Sequence, residues 1–371
     1  MGKKVLILVN HDVVIYNFRR ELVEELIKQK YKVYISCPYG ERIELLKKMG
    51  CEYIPTDINR RSINPFVDLK LLIKYIWLVS KIKPGVVLTY TIKPNIYGSL
   101  AARCMHVPYL NNITGLGSTF QKENILSRIL ILLYKIALKK SHCVFFQNKE
   151  NQELFIRKKV VGNNYKLIPG SGVNLEHFQL QNYPPEEKIH FLFIARVMKE
   201  KGIDQYLEAA EVIKKKYPNT EFHILGFCEE AYEKKLNEMQ EQGIIQYHGM
   251  QKDVHSFIKI CHAVILPSYH EGMANVLLEA ASTGRPVLAT NIPGCKETFN
   301  ENISGFSFYV RDTNSLVDAI IKFIELPYER KKSMGLAGRR KMEMEFDRNI
   351  VVKAYLEEIN GIYKENRYEF I

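Results

Sequence analysis

The sequence predicts an α/β chain of two open parallel sheets, each doubly wound by helices. Three observations predict it. Short apolar runs rich in Val, Ile and Leu alternate with helix-length segments along the chain, as expected of buried parallel strands joined by crossover helices. The alternation breaks once, where Pro169, Gly170, Gly172, Pro184 and Pro185 cluster. The length of 371 residues suits two domains of about 150–200 residues, each with its own core.

In the first half, strands are expected at residues 5–9, 32–36, 86–89, 109–112 and 143–146, with helices at 18–29, 65–81, 95–104 and 126–140. This assigns a first domain to residues 1–168 and an interdomain linker to 169–186. The alternation then restarts, with strands expected at 190–194, 221–225, 245–248, 263–266 and 286–289. Helices are expected at 203–216, 230–242, 254–261, 276–283, 313–324 and 328–344, defining a second domain over 187–345. A further helical stretch, 349–362, exceeds what the second sheet needs. The segment 346–371 is therefore expected to cross back onto the first domain. Ligands of such sheets bind outside the carboxyl ends of the strands, so the pattern predicts two Rossmann-like domains facing a cleft.

Composition narrows the partners. A chain with 46% hydrophobic and 25% charged residues is an ordinary folded protein. Its seven cysteines are scattered, with no two at metal-ligand spacing, which suits small buried thiols in a reducing compartment. The apolar run at 5–9 ends in Asn10-His11-Asp12 and has no cleavage site, so it reads as a first buried strand rather than a signal peptide. With no apolar run of about 18 residues, the expected location is the cytoplasm, peripheral on the inner face of the cytoplasmic membrane. The net charge of +12 is uneven: residues 1–168 carry 28 Lys and Arg against 12 Asp and Glu, whereas the rest carry 25 against 29. The first domain is thus built to meet an anion: nucleic acid, an anionic membrane or a phosphorylated substrate. The segment 124–140 is apolar with Arg128, Lys135, Lys139 and Lys140 to one side. It fits either a core helix or one lying in a membrane interface.

The densest chemical signal is residues 267–290. A strand ends at Leu266, a loop carries Glu271 and Gly272, and a helix starts near Asn275, a favourable N-cap. The amides of Val276 and Leu277 would then be open to a diphosphate at the helix N-terminus. Glu271 and Glu279 would accept hydrogen bonds from sugar hydroxyls on either side of that diphosphate, although a first-turn Glu also stabilises a helix by itself. A second signal is residues 191–202, where a buried strand delivers Arg196 to its end and Lys201 precedes the next helix. A planar fork and a point charge there suit a diphosphate, as they would solvated loop charges.

Together these stretches resemble the retaining GT-B glycosyltransferases of family 4, over nearly the whole chain and most closely in residues 190–300. The seven residues between Glu271 and Glu279 match that family's paired-glutamate motif, and Arg196 with Lys201 matches its diphosphate-binding pair. The resemblance implies Glu271 on the donor sugar, Glu279 on the ribose, Gly272, Asn275, Val276 and Leu277 around the diphosphate, and Gly249 and Asp253 near the base. It implies a UDP-sugar donor, catalysis through Glu271, Arg196 and Lys201, and retention of configuration. No Asp-x-Asp pair occurs, so no metal or other cofactor is expected.

The first domain lacks the Gly-Gly pair that many members carry in the first loop. Residues 10–20, 60–66 and 112–118 resemble the subgroup acting on polyprenyl-diphosphate-linked sugars, the N-acetylgalactosaminyl- and galactosyl-type transferases of surface glycan synthesis. This implies a lipid-linked sugar acceptor met by Asn17, Arg19, Thr114, Gly115 and Gly117. By position alone, Arg19 could contact the acceptor phosphate or be an ordinary surface Arg. Gly115 and Gly117 allow either close ligand approach or a tight turn. His11 could reach the reacting hydroxyl or serve the strand end. Two other readings stay open: a nucleotide-sugar epimerase of the same fold, and a nucleic-acid-binding module, for which no motif is present.

Overall fold

The computed structural model describes residues 3–59, 64–115, 125–229 and 231–368. The chain forms two compact units, Met1–Ser171 with Arg348–Ile371, and Gly172–Asp347. The first contains strands β1 (Lys4–Leu8), β2 (Lys32–Cys37), β3 (Glu52–Pro55), β4 (Val86–Tyr90), β5 (Tyr109–Ile113), β6 (Cys143–Phe146) and β7 (Tyr165–Leu167), in the order β3-β2-β1-β4-β5-β6-β7. The second contains β8 (Ile189–Ile194), β9 (Thr220–Leu225), β10 (Gln246–Tyr247), β11 (Ala263–Leu266), β12 (Val287–Thr290) and β13 (Gly305–Phe308), in the order β10-β9-β8-β11-β12-β13. Every pairing is parallel. Each sheet reverses its strand order once, between β1 and β4 and between β8 and β11, which is where doubly wound sheets bind ligands.

The central strands are apolar and buried on both faces, as in β4 and β11. The strands not anticipated from sequence, β3, β7 and β13, all lie at or beside sheet edges. In β3 and β7 the side chains are half-exposed or exposed, so neither shows a continuous apolar run. The single helix expected at 18–29 is two, Asp12–Phe18 and Arg20–Lys28, broken where Arg19 leaves helical geometry at φ −138° and ψ 12°. The helix expected at 95–104 opens with a π-helical turn, Pro94–Gly98, before Ser99–Cys104. Buried side chains brace it: Thr89 Oγ1 donates to Asn95 Oδ1 at 2.7 Å and Asn95 Nδ2 to the Asn112 carbonyl at 2.8 Å.

Helix Arg348–Tyr368 belongs to the first unit. Tyr355 is buried with its ring 4.3 Å from that of Phe145, and its hydroxyl accepts from Asn112 Nδ2 at 2.7 Å. Tyr363 donates to the Lys4 carbonyl at 2.6 Å, tying the helix to the start of β1. Residues 172–186 are packed into the second unit rather than forming a free linker. Val173 and Phe178 enter its core, and the fully buried Arg285 donates to the Asn182 carbonyl at 2.8 Å. The guanidinium satisfies backbone carbonyls that an irregular segment would otherwise bury unpaired.

Candidate active site

The candidate site is assembled where β8 and β11 diverge. Gly226, at φ +145°, lies so close to the end of β8 that a Cβ would sit 1.8 Å from the Ala195 carbonyl oxygen. The next residue, Arg196, is exposed and ion-paired to Glu229, while Val197 turns into the core. A 3-10 turn, Lys199–Lys201, ends at Gly202 in the left-handed region, φ +74°. A side chain there is excluded twice, since a Cβ would also meet the Pro267 carbonyl oxygen at 2.0 Å. The Tyr269 amide donates to the Glu200 carbonyl at 2.9 Å. The turn after β8 and the loop after β11 are thereby knitted together.

That contact brings Lys201 to Glu271. Lys201 Nζ lies 2.6 Å from Glu271 Oε1, with the two side chains only 20% and 14% exposed. An ion pair this enclosed is screened less than a surface pair. The loop carrying Glu271 is fixed by its backbone: Ala274 N–H donates to the Gly294 carbonyl at 2.8 Å, and Thr290 Oγ1 to the Ser268 carbonyl at 2.6 Å. Ser268 Oγ, His270 Nδ1 and Asn275 Oδ1 are buried without a hydrogen-bond partner among the described residues. Three such atoms within eight residues mark a place where polar groups are held for something else.

Helix Asn275–Ser282 is capped by Ala274, with Asn275 as its first residue and not as its N-cap. The Leu277 amide donates to the Ala274 carbonyl at 3.0 Å, and its side chain is fully buried. Leu277 is therefore not an open anion donor, and the first-turn amides of Asn275 and Val276 are those a ligand would meet. Asn275, Val276 and Glu279 are half-buried on one stripe of the helix, whereas Leu278, Ala280 and Ala281 face the core. Gly272 is half-buried in the loop before it. Gly249 follows β10 at φ +62°, and its carbonyl accepts from the Gly226 amide at 2.8 Å. Asp253 is exposed, and its Oδ1 accepts from the His255 amide at 2.9 Å, just before helix His255–Ile260.

In the first unit, His11 is the N-cap of helix Asp12–Phe18. Its Nδ1 lies 3.2 Å from the Val13 amide and 2.6 Å from Asp12 Oδ1, accepting from the first when neutral and donating to the second when protonated. With Nδ1 committed to the cap, any part in transfer falls to Nε2. Arg19 departs from the position expected of a phosphate contact at the surface. It is only 3% exposed, its Nη1 donates to the Phe18 carbonyl at 2.6 Å, and its guanidinium lies over the rings of Tyr90 and Tyr355. A helix break pointing inward, with two aromatic faces to receive the cation, accounts for this. Asn17 is exposed and its carbonyl accepts from Arg348 at 3.0 Å. Thr114 and Gly115 are half-buried after β5, with Gly115 at φ +140°, and Gly117 lies outside the described residues.

Sequence reasoning passed over Asp12. It is buried, and its Oδ2 accepts from the Arg42 amide at 2.8 Å while Gly40 leaves room for the carboxylate. It forms the floor of a cavity of about 450 Å³ at the ends of β1 and β2, lined by His11, Pro38 and Tyr39. Its signal was Asp12 alone, four residues beyond a buried strand.

Residues 176–341 match the family described as glycosyl transferases group 1, and residues 4–148 match glycosyl transferase 4-like. The chain thus carries a glycosyl transferase 4-like domain followed by a group 1 glycosyltransferase domain, in the GT-B fold. It is 26% identical over 368 residues to the N,N'-diacetylbacillosaminyl-diphospho-undecaprenol alpha-1,3-N-acetylgalactosaminyltransferase of Campylobacter jejuni, covering 94% of this chain and 96% of that one. It is 27% identical to the UDP-Gal:alpha-D-GlcNAc-diphosphoundecaprenol alpha-1,3-galactosyltransferase of Escherichia coli, over 71% of this chain and 72% of the other. Among solved structures, a Rickettsia africae glycosyltransferase superposes with a TM-score of 0.77 at 22% identity, covering 98% and 99% of the two chains. Anabaena HepE, solved with UDP and glucose, gives 0.79 at 15% identity over 97% and 100%. These likenesses bear on the fold.

Proposed function

We propose that this chain is a retaining glycosyltransferase that moves a hexose or N-acetylhexosamine from a UDP-sugar to a polyprenyl-diphosphate-linked sugar, in capsule, O-antigen or glycoprotein glycan synthesis. The observation that carries the proposal is the enclosed Lys201–Glu271 pair at the switch point of the second sheet. A cation suits the departing diphosphate, and a carboxylate beside it suits hydroxyls of the sugar being moved. In this reading Arg196 and Lys201 neutralise the diphosphate, with the Val276 amide at the helix start. Glu271 accepts from the donor sugar, Glu279 from the ribose, and Gly249 and Asp253 flank the base. The acceptor hydroxyl attacks the anomeric carbon on the face from which the diphosphate departs. The carbon–diphosphate bond breaks as the new glycosidic bond forms, and the hydroxyl proton passes to the departing diphosphate oxygen. The cations supply the positive potential that a metal gives elsewhere, so transfer is expected to survive EDTA. Incubating the protein with a panel of UDP-sugars and a polyprenyl-diphosphate-linked sugar, with and without EDTA, and following UDP release and product tests this. Release that ignores the acceptor favours the epimerase-type reading. Loss in EDTA restored by Mg²⁺ or Mn²⁺ overturns metal independence.

The acceptor reading entails a membrane surface. No helix among the described residues is long and apolar enough to cross a membrane. Helix Ile125–Leu138 instead presents two apolar faces. Tyr134, Ala137 and Leu138 enter the core, while Ile125, Ile129, Leu132 and Ile136 are 77%, 49%, 57% and 44% exposed along the other side. Arg128, Lys135, Lys139 and Lys140 are exposed beside them. Helix Pro65–Ile82 likewise exposes Phe66, Leu69, Ile73 and Trp77, with Lys74 and Lys81 over the indole at 4.7 and 4.8 Å. Apolar stripes flanked by cations fit an anionic bilayer interface, each basic side chain contributing about 1 kcal/mol. The full chain is expected to sediment with anionic vesicles at low salt, far less with neutral vesicles, and weakly at roughly 0.5 M salt. Reversing Lys135, Lys139 and Lys140 to Glu should reduce sedimentation without changing UDP-sugar binding. A protein that stays in the supernatant with anionic vesicles at low salt would refute the docking surface.

A further inference from the structure

Four histidines form a row across the second sheet, away from the candidate active site. His190 is the second residue of β8, His223 lies in β9, His248 just follows β10 and His262 just precedes β11. The rings are nearly parallel, at 10° for His262 and His190, 16° for His190 and His223, and 19° for His223 and His248. His262, at one end of the row, has settled partners. His262 Nδ1 accepts from the His190 amide at 3.1 Å, so its Nε2 carries the proton and donates to the Pro185 carbonyl at 3.1 Å.

The inner pair is different. His190 Nδ1 and His223 Nε2 face each other at 2.9 Å, and Glu221 Oε2 lies 3.5 Å from the first and 3.8 Å from the second. These three atoms come from adjacent strands: His190 pairs with Glu221, and His223 lies two residues further along β9 on the same face. A tetrahedral cation with ligands at about 2.0–2.2 Å spaces them by roughly 3.3–3.6 Å. The observed triangle brackets that spacing, so small side-chain shifts suffice. We propose that His190, Glu221 and His223 form a binding site for a divalent transition cation of the zinc class, fastening β8 to β9 at the amino side of the second sheet. Two imidazoles and one carboxylate are a donor set that such cations prefer over Mg²⁺ or Ca²⁺.

The surroundings supply what a metal site needs. His223 Nδ1 lies 3.1 Å from His248 Nε2 and donates to it when its Nε2 is left for the cation. Gln246 Nε2 donates to Glu221 Oε2 at 3.0 Å, orienting the carboxylate. His223 is buried, but Glu221 and His248 line a surface cavity of about 410 Å³ through which solvent can enter and provide a fourth ligand. Lys188 holds the other carboxylate oxygen, Oε1, at 2.7 Å and is largely exposed, so it competes without blocking. Arg196 lies six residues beyond His190, about 20 Å at the strand rise. The cation is therefore structural, and stripping it lowers thermal stability while leaving the diphosphate contacts of the transfer site in place.

The test uses the full chain without a histidine tag, stripped with EDTA and dialysed. Zn²⁺ titrated calorimetrically should bind at one equivalent and raise the Tm, and Co²⁺ should give the intense visible absorption of a tetrahedral site. Glu221→Gln, close in shape and near the surface, should weaken binding at least tenfold with an unchanged circular dichroism spectrum. His223→Ala should abolish stoichiometric binding. His248→Ala, which removes only the supporting hydrogen bond, should weaken binding by about 10–100-fold. The exposed pair His177 and His255, whose Nε2 atoms lie 2.9 Å apart, is the internal control. Binding lost in His177→Ala but kept in Glu221→Gln would overturn the assignment, as would wild-type protein that takes up no stoichiometric Zn²⁺.

Discussion

Glu271→Ala is expected to lower kcat roughly 100-fold or more while leaving the Tm within a few degrees of wild type. The size follows from removing a group whose contacts strengthen in the transition state. The separation of activity from stability follows from how the loop is built. Its course is fixed by the Ala274–Gly294, Tyr269–Glu200 and Thr290–Ser268 hydrogen bonds, none of which involves the carboxylate. What the variant loses in the ground state is the partner of Lys201, which is 20% exposed and can recover part of its hydration. Glu271→Gln keeps the shape and some hydrogen bonding, and should lie between the two. Steady-state UDP release with the acceptor present reads the effect, and near-normal turnover for Glu271→Ala would remove this residue from the mechanism.

Arg196→Ala and Lys201→Ala should each weaken donor binding by about 1.5–3 kcal/mol, the range for a charge-assisted hydrogen bond. The larger effect is expected for Lys201. Its removal leaves the half-buried Glu271 carboxylate unpaired beside an incoming diphosphate, adding repulsion to a lost attraction. Arg196 is exposed and already shares its charge with Glu229, so it must exchange one carboxylate for the ligand. The double variant should fall short of the sum, because both cations answer one diphosphate. Calorimetric titration of the two singles and the double with UDP measures the coupling. Two small and strictly additive losses would make both residues ordinary surface charges.

Much of this architecture is legible in the sequence because parallel central strands are buried on both faces and write themselves as continuous apolar runs, as at Val86–Tyr90 and Ala263–Leu266. Edge strands have no such requirement, which is why Glu52–Pro55 and Tyr165–Leu167 did not stand out. In the second unit the candidate residues Arg196, Lys201 and Glu271 were legible as charges that follow a strand end. It was not legible at Leu277, whose amide is used by a tight first turn that residue identity does not reveal. Arg19 shows the opposite problem. A basic residue near a strand end looks exposed until a helix break turns it inward onto Tyr90 and Tyr355, the second of which lies 336 positions away in the chain. His190, Glu221 and His223 are spread over more than 30 residues, and only strand register brings them together.

The return of helix Arg348–Tyr368 to the first unit makes the second unit an insertion within the first. Synthesis from the ribosome then imposes an order. Residues 172–347 are contiguous and can fold as soon as they emerge. The first unit, although translated earlier, waits for Tyr355 to fill the space between Tyr90 and Phe145 and for Tyr363 to reach Lys4. During that wait its core lacks Val351, Tyr355, Ile359 and Ile362. A chain stopped near residue 347 would carry a finished second unit joined to an unfinished first one, prone to aggregation and to capture by chaperones.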